Sequence, residues 1–181
     1  DLIDKYPTYD DVKDLNRVPT PYKTNQQQRK NLVNDYPFIL TTGRQVEHMG
    51  GGAETRSCHY LVELQPEMYA EINPTVAMEL GINHWDYIWV ETLRGKCKVR
   101  AYVTERVNEG VIRNGKRVEA TIFMPYHWAG WLEGVSYADR WPAGAGELAY
   151  GDSVNIITVD AYDRSTNMQE TKAALCKVYK A

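Results

Sequence analysis

Cysteine is scarce in this sequence. Cys58, Cys97 and Cys176 are the three present in 181 residues, and no two form a CxxC pair. That argues against a disulfide framework or a cysteine-built zinc site, and none of the three has an evident activating base. The four histidines, His48, His59, His84 and His127, share no ligand spacing, which removes a histidine-built metal centre. Basic charge is not in excess. Lys and Arg number 21 against 24 Asp and Glu, for a net charge of −3. No global field therefore draws the chain to nucleic acid or to an anionic membrane. No run approaches the roughly 20 apolar residues of a membrane span, and no leader peptide is visible. Internal repeats and low-complexity tracts are missing as well. The first residue is Asp1 rather than Met, which reads as a piece cut from a longer polypeptide.

What is present is ordinary globular composition, with 43% hydrophobic residues. The length suits one sizeable domain preceded by an arm. Residues 1–35 read as that arm, an extended linker from an upstream domain. Pro7, Pro19 and Pro21 interrupt it, and Asn25 to Lys30 is wholly polar. Tyr6, Tyr9, Leu15, Val18 and Tyr22 are scattered anchors that let it lie across a larger surface. Residues 36–181 form the domain.

The domain opens with YPFILTTGRQVEHMGGGAETR, residues 36–56. A short strand, Phe38 to Leu40, breaks at Thr41 and empties into hydroxyls, Arg44 and three consecutive glycines. Bare backbone lets N–H groups approach oxygens closely, and Arg grips phosphate bidentately. The stretch suits an anionic, hydrogen-bonding ligand. Glu54 to Leu64 holds one or two helical turns. Tyr69 to Asn73 is a strand. Asn73-Pro74 then caps a helix with Val76, Ala77 and Leu80 on one face, and Gly81 ends it.

Asp86 to Thr92 and Lys96 to Val107 make a hairpin with one wet face, joined at Arg94-Gly95. Glu109-Gly110 and Asn114-Gly115 mark further turns. Arg117 to Met124 reads as one strand that delivers Pro125 to Trp128 to a loop. Ala129 to Asp152 reads as a long aromatic, Gly-rich loop, of the kind that is functional or docked on something. A last strand covers Ala173 to Tyr179. Short strands, few helices and several loop crossings predict a mainly β fold, a closed barrel with helical caps. Thr42 to Gly52, Tyr126 to Trp128, Asn155 and Thr171-Lys172 each follow or precede a strand, and so share one rim.

In order, YPFILTTGR with a His four residues on, EINPTVAMELGI, a W-x-x-V-E strand, an RG turn, K-V-R-A-Y-V-T-x-R-V, MPYHWAG, VNIITVDAYD and QETKAALC resemble one module. It is the C-terminal molybdopterin dinucleotide-binding domain of the dimethyl sulfoxide reductase family. The resemblance covers about residues 36–179, and the closing QETK-plus-strand is similar to formate dehydrogenase large subunits. It implies a double-psi β-barrel of the aspartate decarboxylase-like type. It also implies a bis-molybdopterin guanine dinucleotide cofactor carrying molybdenum or tungsten, with the domain covering one side of it.

Carried over position by position, Thr42, Gly43, Arg44 and Gln45 meet the phosphate and ribose region. His48, Met49 and Gly50 run along the pterin. Tyr126, His127 and Trp128 match a second contact loop, Asn155 a contact Asn, and Thr171 with Lys172 the last contact pair. The metal ligand, any iron–sulfur cluster and the catalytic His and Arg are expected only upstream. The implied whole is an oxidoreductase that oxidises formate to carbon dioxide, and the isolated chain is expected to be inactive. Its implied partners are the upstream domains of the same polypeptide and an iron–sulfur electron-transfer subunit. Neither nucleic acid nor direct membrane insertion is expected. Family analogy leans to the bacterial periplasm over the cytoplasm.

Two other readings stay open. The same domain serves molybdenum or tungsten enzymes acting on nitrate, arsenic or sulfur compounds. A stand-alone, non-catalytic barrel used for binding or assembly is the third. Two features depart from the family pattern: Gly50 to Gly52 replace bulkier residues, and the 129–152 segment is long enough to dock another subunit.

Overall fold

A computed structural model of the chain describes residues 31–140, 149–159, 168–169 and 171–181. Most of the expected arm, residues 1–30, lies outside the described residues, as do Trp141 and the polar segment 160–167. At the arm's described end a 3-10 turn, Leu32–Asn34, buries Leu32.

Strand β1, Phe38–Gly43, alternates buried and half-buried residues. It runs three residues past Leu40, where the hydroxyl-rich sequence suggested a break. The reason is non-local: β1 pairs in parallel with β7, Thr121–Pro125, in register from Ile39↔Thr121 to Gly43↔Pro125. A 3-10 turn, Thr55–Ser57, and helix α1, His59–Leu64, fill the expected helical stretch.

Strand β2, Tyr69–Ile72, leads into helix α2, Pro74–Glu79. The Asn73 side chain accepts the Thr75 N–H at 2.9 Å, and Pro74 takes the first helical position, where its missing donor costs nothing. Val76 and Ala77 are buried, whereas Leu80 is the cap and stays exposed, because the helix ends one residue before it. Gly81 stops the helix at φ +65°.

Strands β3, Tyr87–Glu91, and β4, Lys96–Val103, form the expected hairpin. A second hairpin joins β5, Val111–Arg113, to β6, Lys116–Val118, through Asn114 and Gly115 at φ +52° and +75°. Both central residues are left-handed, as a tight hairpin of native twist needs. The single strand expected over Arg117 to Met124 is split between β6 and β7. Glu119 sits at φ +62° and donates its N–H to the Pro37 carbonyl at 2.7 Å. The 108–110 backbone crosses here: a Cβ on Gly110 would lie 2.5 Å from the Ala120 nitrogen.

The 129–152 segment is not a bare loop. It carries β8, Gly130–Leu132, β9, Val135–Ser136, and β10, Gly151–Asp152, in a small sheet of order β10-β8-β9. Val154–Ile156 is a 3-10 turn, and β11, Ala174–Lys180, completes the chain.

Six strands close a barrel in the order β1-β11-β3-β4-β2-β7. β1 with β7 and β2 with β4 run parallel, and the other neighbours are antiparallel. Leu40, Ile72, Ile88, Val90, Val99, Ile122 and Met124 fill the interior with essentially no exposure. Each side chain of this kind contributes about 1.5–3 kcal/mol on burial, so the barrel is the stable platform for whatever its rim holds.

Candidate functional site

The parallel pairing of β1 and β7 brings their C-terminal ends side by side. Main-chain register alone therefore places the residues after Gly43 beside those after Pro125. Arg44 Nε donates to the Tyr126 hydroxyl. The Gln45 N–H donates to His127 Nε2 at 2.9 Å, and His127 Nδ1 donates to the Gly50 carbonyl. One buried imidazole thus fixes both ends of the 45–50 loop. Those bonds require the neutral ring with its proton on Nδ1. Burial lowers the pKa of His127 and the His48 and Arg44 charges lower it further, against the hydrogen bond to Gly50.

His48 is buried one layer behind. Its ring nitrogens meet Thr55 Oγ1 at 3.2 Å and the Gln65 carbonyl at 3.0 Å, and its edge packs on Trp128 with centroids 5.0 Å apart. Trp128 belongs to the apolar core. Met49 is exposed and donates its N–H to Thr55 Oγ1. Gly50, at φ +53°, and Gly51 have open space where a side chain would go. At Gly52 the His127 carbonyl and the Arg56 side chain fill that space. Arg56 went unassigned in the sequence. Its buried guanidinium donates to the carbonyls of Ala129 at 3.1 Å and Ala149 at 2.9 Å, tying this loop to the small sheet, and burial lowers its pKa.

Two clefts flank the Arg44–Tyr126 bond. The larger, about 590 Å³, has Thr42, Arg94, Tyr126, Asn155, Thr171 and Lys172 in its lining. Lys172 Nζ donates to the Thr42 carbonyl at 2.8 Å and stands 5.3 Å from the Tyr126 ring centroid. The smaller, about 370 Å³, is lined by Arg44, Gln45, Tyr69, Phe123 and the buried Glu71, which is paired with Arg106. Gly43 matters here, since a Cβ would sit 2.5 Å from the Phe123 ring.

The structure therefore brings Thr42, Gly43, Arg44, Gln45, Tyr126, His127, Asn155, Thr171 and Lys172 to one end of the barrel. His48 and Trp128 lie behind that wall, and Met49 and Gly50 line neither cleft. Among the described residues no group of three or more His, Cys, Asp and Glu side chains is arranged to hold a metal ion.

Residues 38–175 match the family model described as the Molydopterin dinucleotide binding domain. The chain belongs to that family. The alpha subunit of formate dehydrogenase 2 (cytochrome c-553) of Nitratidesulfovibrio vulgaris is 38% identical over 146 residues, 81% of this chain and 13% of that protein. The nitrate-inducible formate dehydrogenase major subunit of Escherichia coli is 34% identical over 155 residues, 84% of this chain and 13% of the relative. The domain thus spans only that small share of both relatives. Among solved structures, acetylene hydratase from Pelobacter acetylenicus superposes with a TM-score of 0.55 at 24% identity, covering 90% of this chain and 21% of that one. The likeness shows the fold, and the closed six-stranded barrel is of the double-psi type.

The polar lining of the rim fits a hydrogen-bonding, anionic ligand. Both polar atoms of the Gln45 carboxamide are buried without a partner at the smaller cleft. Such atoms cost about 1–3 kcal/mol unless something satisfies them, and a hydrogen-bonding ligand does. The larger cleft offers two cations, hydroxyls and two carboxamides, Asn155 and Gln169.

Proposed function

We propose that this chain is the cofactor-binding C-terminal domain of a molybdenum- or tungsten-dependent formate dehydrogenase. Its rim forms one wall of the site for bis-molybdopterin guanine dinucleotide. The identities with formate dehydrogenase alpha subunits support the reaction assigned. The single observation that carries the binding role is the convergence of Arg44 and Lys172 on Tyr126.

In this reading Arg44, Lys172, Thr42, Thr171 and Asn155 hold the phosphate and ribose region. The Gln45 carboxamide finds its partners on the ligand. His127 contributes by holding the backbone of Gln45 and Gly50. His48 sets the loop from behind by its bonds to Thr55 and Gln65, and Trp128 is the apolar seat on which it packs. When bound, the metal and its pterins supply the two-electron oxidation of formate to carbon dioxide; this chain supplies binding and orientation. The metal ligand and the iron–sulfur relay belong to the upstream part of the polypeptide, and an electron-transfer subunit receives the electrons. The isolated domain, as one wall of the site, is inactive.

The test is Arg44→Ala in the full-length enzyme, read as metal and guanine nucleotide released on denaturation. Occupancy is expected to fall by about tenfold, the order of one charge-assisted hydrogen bond. Full occupancy in that variant would count against the assignment.

A further inference from the structure

The outer face of β3 and β4 carries a row of aromatic rings with cations laid over them. Tyr87 and Trp89 are half-buried on β3, opposite Arg100 and Lys98 on β4. Lys96 Nζ stands 4.2 Å from the Trp89 ring centroid. Lys98 Nζ lies 5.0 Å and the Arg100 guanidinium carbon 3.6 Å from that of Tyr87. Trp85 extends the row beyond the strand, 6.0 Å from the same guanidinium. Its backbone sits at φ +72°, where a bulky residue is rarely found. It is pinned there: the Trp85 N–H donates to the Ala101 carbonyl at 2.7 Å, and its carbonyl accepts from Arg100 Nη1 at 3.1 Å. Strain of this kind is kept where a side chain has to be presented. The β8–β9 turn borders the row, since a Cβ on Gly134 would lie 2.9 Å from Trp89 and 3.0 Å from the Lys98 side chain.

The charges on this face are unevenly matched. Arg100 pairs with Glu67 at 2.8 Å, and Lys177 on β11 pairs with Glu91 at 2.9 Å. Lys96 and Lys98 have no carboxylate partner among the described residues. Two unneutralised ammonium groups over aromatic rings suit an acidic segment with rings and prolines of its own. Its carboxylates meet the cations and its flat apolar groups meet the rings.

The chain itself contains such a segment. Within residues 1–14, Asp1, Asp4, Asp10, Asp11 and Asp14 outnumber Lys5 and Lys13, and Tyr6, Pro7 and Tyr9 lie among them. The arm joins the domain beside this face. The Tyr36 hydroxyl donates to Glu91 at 3.5 Å, and Glu91 is the register partner of Lys96. The roughly 20 residues from Asp14 to Tyr36 reach on the order of 60 Å when extended, against about 10 Å across three strands. We propose that the face around Trp89, Lys96 and Lys98 is an interaction surface whose occupant is the chain's own acidic segment, residues 1–14.

The experiment treats the full-length polypeptide with a zero-length carbodiimide, which joins an ammonium group to a carboxylate it touches, and reads the joined peptides by mass spectrometry. Lys96 or Lys98 is expected to be joined to an Asp of residues 1–14. Chymotryptic cleavage after Leu15 gives a second readout. Lys96→Glu with Lys98→Glu should speed it about tenfold, the order of two exposed ion pairs. Adding Asp10→Lys and Asp11→Lys to the same protein should restore the wild-type rate. Thermal unfolding checks that the barrel is intact, and if the variants do not fold the wild-type cross-links decide alone. Joining of Lys96 and Lys98 to any other segment or polypeptide, no joining at all, or a folded variant whose cleavage is unchanged by the reversal or unrestored by the swap would overturn the proposal.

Discussion

His127 accepts a hydrogen bond from the main-chain N–H of Gln45 at 2.9 Å, across 82 residues of sequence. The bond exists only while Nε2 is unprotonated. The folded protein holds His127 below its ordinary pKa, through burial first and then the neighbouring His48 and Arg44 charges. An unfolded chain takes up the proton at about pH 6.5, and the folded one resists it. The stability from this group is complete above that pH and is lost as pH falls toward the folded value. The melting temperature should therefore drop on acidification below about pH 6.5, and His127→Gln should flatten that part of the profile. An unchanged profile in the variant would show that other groups set it.

The three consecutive glycines are not equivalent. Gly52 sits at φ +73° with the His127 carbonyl and the Arg56 side chain where a Cβ would go, whereas Gly51 faces open space. Gly52→Ala should cost about 1–2 kcal/mol for the left-handed backbone alone, and more for the contacts. Gly51→Ala should be close to neutral. Melting temperatures of the two variants, separated by several degrees, check this.

Tyr126 holds Arg44 by its hydroxyl and Lys172 by its ring. Tyr126→Phe removes the first contact and keeps the second. In the full-length enzyme its cofactor content should fall between those of wild type and Arg44→Ala. Tyr126→Leu, which removes both, should fall further. A Phe variant as depleted as Arg44→Ala would place the hydroxyl on the ligand itself.

Glu71 and Arg106 are an unequal pair. The Glu71 side chain is 5% exposed and that of Arg106 is 65% exposed. Arg106→Ala strands a buried carboxylate, at about 1–3 kcal/mol. Glu71→Gln merely releases an arginine to water, at no more than about 1 kcal/mol. Denaturant unfolding should rank Arg106→Ala as the more damaging change, and the reverse order would mean that Arg106 does not shield the carboxylate.

Local signals in the sequence located local structure. Asn73, Pro74 and Gly81 mark a helix whose cap, first residue and stop depend on a few neighbours, and it forms where they say. Alternation along Lys96 to Val103 shows which side of β4 is wet. Pairing between distant segments left no such trace. β1 continues through Thr41 to Gly43 because β7 lies beside it, and the strand expected from Arg117 breaks at Glu119 because residues 108–110 cross there. The rim followed the same division. The residues beyond β1 and β7 were legible as a group, since hydroxyls, Arg and glycine after a strand have a stated chemistry. Individual roles were not. Nothing in His127-Trp128 says that the imidazole bridges two loop ends and that the indole belongs to the core. Arg94 looked like a turn residue because the Thr158 carbonyl that it donates to comes 64 residues later.

The first and last barrel strands are neighbours, with Phe38 opposite Cys176 and Tyr36 against Lys177. The first barrel strand therefore starts, and the last one ends, on the same side of the barrel. A short peptide could bridge Lys180 to Pro37, and new ends could be opened at Asn114-Gly115, without cutting any of the six staves.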